Sequence, residues 1–130
     1  MKKQGILNPA LAAGLARLGH TQQVVIADCG LPLPAGAVVV DLTLVRGVPK
    51  FTEVLRAVLD EIVIEGALIA GEARDSVVET WVRELATGVA DLEYLPHEDL
   101  KRRLPEASLI IRTGEDTPYA NVVLTCSVPF

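Results

Sequence analysis

Aromatic residues make up only 4% of this 130-residue chain, and cysteine occurs twice. With so few rings the core has to be aliphatic, which suits strands buried on both faces of a parallel sheet. Cys29 and Cys126 are too few and too far apart for a disulfide framework, and no CxxC or Cys/His cluster offers metal-ligand spacing. The expectation is two free thiols in a reducing cytosol. Basic residues are also scarce. Twelve Lys and Arg against 17 Asp and Glu leave a net charge of −5, which argues against nucleic acid or an anionic membrane surface as partner. No stretch approaches the roughly 18 apolar residues that span a bilayer. Lys2 and Lys3 precede an apolar segment from Leu11 to Leu18, but Asn8 and Pro9 break its entry and Arg17 interrupts it, so it does not read as a secretory signal. There is no GxGxxG, P-loop or GxSxG elbow. What remains is a cytoplasmic protein with a proton-transfer site needing neither cofactor nor metal, or a plain binding pocket.

Half of the residues are hydrophobic, and the length fits one domain over residues 1–130. Asn8 as cap, Pro9 at the first helical position and Leu11, Leu15 and Leu18 on one face predict a helix over 8–18, stopped by Gly19. VVIAD (24–28) and AVVVDL (37–42) read as strands around a Gly/Pro-rich turn. A helix begins near Pro49 with Phe51, Val54, Leu55, Val58 and Leu59 on one side. IVIEGALIA (62–70) reads as a strand with a weak point at Glu65 and Gly66. A longer helix over about 72–87 turns Val78, Trp81, Val82 and Leu85 inward, and VADLEYL (89–95) is a strand. PHEDLKRRL (96–104) has acids in its first turn and bases in its last, matching a helix dipole. SLIIR (108–112) and NVVLTCSV (121–128) are strands flanking a polar loop. Strands alternating with helices imply an α/β domain with a mainly parallel sheet and helices on both faces.

In such sheets ligands bind beyond the carboxyl ends of the strands. Asp28 ends one strand just before a turn, so it is either a ligand-facing carboxylate or a turn cap. His20 lies in the loop entering the same strand; histidine is suited to moving protons near neutral pH, although a solvated loop histidine is the blander reading. His97 opens a helix, where an exposed first-turn residue is the ordinary expectation. RTGEDTPYANVVL is the densest polar segment. Arg112, Glu115, Asp116, Tyr119 and Asn121 could face a ligand there, and a phenol and an amide suit a sugar ring and its hydroxyls.

LGHT, VVIADCGLPLP, RGVPKFTEVL, LPHEDLK and RTGEDTPYANVVL occur in order along the whole chain. With them the sequence resembles the ribose pyranase branch of the ribose pyranase and fucose mutarotase family. The resemblance implies a ring-like homo-oligomer, a pentamer or decamer, with sites at subunit interfaces. It implies interconversion of the pyranose and furanose forms of β-D-ribose. The proton donor would be His20, and Asp28, His97, Tyr119, Ala120 and Asn121 would bind the sugar. The alternatives it leaves are an L-fucose-type mutarotase and a non-catalytic sugar-binding accessory protein of ribose uptake. Two positions depart from the family pattern: Gln22 stands where it usually has Asp, removing a charge that would orient His20, and Cys29 stands where it usually has Ala. The fucose branch tends toward Gly at the positions of Thr21 and Ala120, so side chains there are expected to narrow the pocket.

Overall fold

Asn8 does cap the first helix. In a computed structural model that describes all 130 residues, its side-chain oxygen accepts a hydrogen bond from the Leu11 amide, and Pro9 opens α1 (Pro9–Ala16). The chain continues through β1 (Gln23–Ala27), β2 (Val39–Asp41), α2 (Phe51–Leu59), β3 (Ile64–Ala70), α3 (Val77–Leu85), β4 (Leu92–Leu95), α4 (His97–Arg103), β5 (Leu109–Arg112) and β6 (Val122–Cys126). The predicted α/β class is what forms. One six-stranded sheet runs in the order β2-β5-β1-β6-β3-β4, parallel except for β6, which is antiparallel to β1 and β3.

Both faces of the sheet are covered, unequally. On one side α1, α2 and α3 lay Leu11, Leu15, Phe51, Val54, Leu55, Val58, Val78 and Val82 against the alternate strand residues Val24, Ile26, Ile69, Ile111 and Leu124. On the other, α4 contributes Leu100, and Leu31 and Leu104 join it over Val25, Ala27, Leu68, Ile110 and Val123. The central strands are therefore apolar on both faces, which is why their sequences run without alternation.

The helix expected over 72–87 is shorter. Residues 71–73 form a 3₁₀ turn, Asp75 takes a left-handed conformation (φ 58°), and the Ser76 hydroxyl caps Val78 to begin α3. A hydroxyl cap inside the apolar pattern resets the helix start. The weak point predicted in 62–70 is a register shift in β3 between Ile64 and Gly66.

The topology places three loops together. β5 and β6 both flank β1, so residues 113–121 cross over the carboxyl end of β1. The loop after β1 and the segment 43–50 between β2 and α2 converge on the same end.

Candidate functional site

Strand β1 hands its chain to the crossing loop through paired hydrogen bonds. Thr113 donates both its amide and its hydroxyl to the Ala27 carbonyl (2.9 and 2.8 Å), and the Cys29 amide donates to the Glu115 carbonyl (2.8 Å). Arg112 donates to the Cys29 carbonyl through two nitrogens (2.8 and 3.2 Å) and to the Asp41 carboxylate (2.9 Å). Its guanidinium is thus spent on holding the turn after β1.

Glu115 anchors the third loop. It is 2% exposed, and its carboxylate accepts hydrogen bonds from the Phe51 amide at the start of α2 and from the amide and hydroxyl of Thr117. Burial pushes its pKa up, but these hydrogen bonds, with Lys50 nearby, outweigh burial and hold it below the ordinary carboxylate value. Gly114 donates its amide to the Pro49 carbonyl, and the Thr43 hydroxyl donates to the Thr113 carbonyl, so 43–50 and 113–115 lie backbone to backbone.

Above this scaffold is an open cleft of about 480 Å³, lined by Asp28, Arg46, His97, Glu115, Asp116 and Tyr119 among others. That is within the range of small-molecule sites and larger than a pentose needs. Asp28 lines this cleft and also caps the turn after β1. Oδ1 accepts from the Gly30 amide (2.9 Å), which shapes the turn, while Oδ2 accepts from Asn121 Nδ2 (2.8 Å). Asn121 returns the contact by accepting from the Asp28 amide (2.9 Å). Each Asp28 oxygen keeps a lone-pair direction for a ligand hydroxyl. The His97 ring meets Tyr119 edge-on at 5.1 Å between centroids, and the His97 amide donates to the Glu72 carboxylate.

The structure thus gathers Asp28, His97 and Tyr119 in the cleft wall, places Asn121 directly behind Asp28 with Ala120 beside it, and leaves His20 apart. Ala120 and Asn121 are fully buried and form no part of the cleft wall. Both ends of the Asn121 amide are committed to Asp28, so its influence on a ligand passes through that carboxylate. Ala120 is buried directly behind Tyr119, so its methyl group does not itself face the cleft. Thr21 holds a left-handed φ of 66° beside His20, so a glycine there would answer a backbone demand and not a pocket dimension. Glu115 turns inward as an anchor. Arg46, the one guanidinium in the cleft wall, was not anticipated; a polar turn residue next to Gly47 carries no signal of what it faces.

His20 is at the other end of the molecule. It precedes β1 while Asp28 follows it, and β1 alone separates the two by at least about 13 Å. There its Nε2 lies 3.0 Å from Oε2 of Glu65. The cysteines divide likewise, Cys29 at the cleft and Cys126 at the opposite end of the sheet, and both are free.

Residues 1–129 match the family model described as the RbsD / FucU transport protein family. The chain is 53% identical over 130 residues to the D-ribose pyranase of Cutibacterium acnes and 51% identical to that of Streptomyces avermitilis, with all of each chain covered. It is similar to the structure of Bacillus subtilis RbsD complexed with D-ribose, with a TM-score of 0.93, 42% identity and full coverage of both chains. The fucose mutarotase of Streptococcus pneumoniae in complex with L-fucose shares the fold at a TM-score of 0.78, with 23% identity over 95% of each chain.

Proposed function

The chain belongs to the RbsD / FucU transport protein family, and from that premise we infer that it is an isomerase interconverting the pyranose and furanose forms of β-D-ribose. The observation that carries this reading is full-length identity of 53% to a D-ribose pyranase. The cleft supplies suitable chemistry. Asp28, oriented by Asn121, accepts hydrogen bonds from sugar hydroxyls, and the Tyr119 ring offers a face to the sugar's carbon skeleton, with His97 beside it.

Changing ring size takes two steps. A proton reaches the ring oxygen as the anomeric hydroxyl loses one, the bond between C1 and the ring oxygen breaks, and a free aldehyde forms. After rotation, the 4-hydroxyl adds to C1 and gives up its proton while the carbonyl oxygen gains one. Proton count and oxidation level are unchanged, so an acid–base pair is sufficient.

His20 is the acid in this reading, delivered by a second copy of the chain because its own cleft is out of reach. Leu44, Val45 and Val48 are exposed by 76, 57 and 47% on the same segment that brings Arg46 to the cleft. Such apolar side chains beside a site suit contact between copies. The protein on this account is a cytoplasmic, ring-like homo-oligomer, a pentamer or decamer. No helix is long and apolar enough to cross a membrane.

NMR saturation transfer between ribose pyranose and furanose signals tests the reaction. Catalytic protein is expected to accelerate the transfer, more for D-ribose than anomer exchange in L-fucose. No acceleration for ribose rejects the assignment, and faster exchange for fucose moves it to the mutarotase branch.

A further inference from the structure

His20 and Glu65 meet at the amino end of the sheet, where neither touches the cleft of its own chain. Their side chains are 52 and 42% exposed. An ion pair that open contributes little to stability, so the contact has small structural value. Its geometry is nonetheless specific. Glu65 lies at the register shift of β3, and bulges of this kind re-aim a side chain relative to its neighbours. His20 and then the Ser127 hydroxyl hold the Glu65 carboxyl below its ordinary pKa, so it is ionised near neutrality. Cys126 is the other titratable neighbour; burial, and then Glu65, pushes its thiol up.

Gln22 does not perform the orienting role. Its side-chain oxygen accepts from the Gly19 amide at 2.7 Å. Glu65, reaching from a different strand, is the carboxylate that meets the imidazole. An ionised carboxylate only accepts hydrogen bonds, so Nε2 must carry the hydrogen in that contact. Nδ1 makes no hydrogen bond within the chain and is left as the nitrogen whose proton can come and go.

We propose that Glu65 is the positioning residue for His20, fixing Nε2–H so that Nδ1 is the atom that gives a proton to the sugar ring oxygen and takes one back. The proposal rests on the reading of His20 as the general acid. Histidine bases elsewhere depend on a carboxylate that fixes ring orientation and tautomer, and losing such a partner lowers turnover while leaving binding intact.

The test uses full-length Glu65→Gln and Glu65→Ala in the ribose exchange assay. Both are expected to lower kcat by roughly ten- to a hundred-fold with KM changed less than about two-fold, melting temperature and assembly size unchanged. Added formate should restore part of the rate to Glu65→Ala, because a free carboxylate can occupy the exposed place beside Nε2; a purely structural role gives no such rescue. The proposal is overturned if both variants keep the wild-type kcat while His20→Gln is inactive. It is equally overturned if kcat falls only together with melting temperature or assembly and formate restores nothing. If His20→Gln itself retains the wild-type rate, the underlying reading of His20 fails instead, and the two failures are told apart by that variant.

Discussion

Replacing His20 with Gln is expected to reduce catalysed ribose ring exchange by about a hundred- to ten-thousand-fold, the range that a positioned general acid contributes. Folding should survive the change. The side chain is half exposed, its one hydrogen-bonding partner is Glu65, and the loop that carries it is held by backbone bonds, including that from the Thr21 amide to the Cys126 carbonyl. Glutamine keeps a donor for Glu65 and removes the transferable proton. Exchange at the wild-type rate in a folded variant would show that the proton comes from another group. Ribose affinity should change less than turnover, because the cleft side chains Asp28, His97 and Tyr119 are left in place by the substitution.

Gly114→Ala should damage the site by a wholly different route. A Cβ at this position collides with the backbone of Val48, which has no rotamer with which to retreat. The backbone contact between 43–50 and 113–115 must then open, releasing the Gly114–Pro49 and Thr43–Thr113 hydrogen bonds together. A loss of about 3 kcal/mol or more is expected, near 10 °C in melting temperature for a domain of this size, along with weakened ribose binding as Arg46 and Glu115 shift. Gly36→Ala is the contrast. Gly36 has a φ of 79° but open space around it, so only the left-handed conformation is penalised, by about 1–2 kcal/mol. Equal stability losses in the two variants would refute the close-packing argument.

Much of the scaffold was legible because local signals and burial agree. Asn8 and Pro9 mark the start of α1, and Phe51, Val54, Leu55 and Val58 define the buried face of α2. The cleft position of Asp28 was legible because it ends a buried strand in a parallel sheet, and that end carries the cleft. Direction in the sheet was not. The apolar run of β6 looks like that of β1, and only the pairing shows it to be antiparallel. Side-chain facing within the loop 113–121 was equally hidden. Asn121 and Glu115 are as polar as Asp116, yet two are fully or almost fully buried in hydrogen bonds and the third is exposed at the cleft. Glu65 showed in the sequence only as a charge interrupting a strand; its partner is 45 residues away, a separation that no local pattern encodes.

The central claim is that the working site joins His20 of one copy to Asp28 of another. Co-expression of His20→Gln and Asp28→Asn chains under different tags, with isolation of assemblies carrying both, tests it directly. Each parent should be inactive alone. In a random equal mixture, a cleft with intact Asp28 meets an intact His20 at roughly a quarter of interfaces, so about a quarter of the wild-type exchange rate should return. Mixed assemblies that remain as inactive as their parents would contradict a site shared between copies.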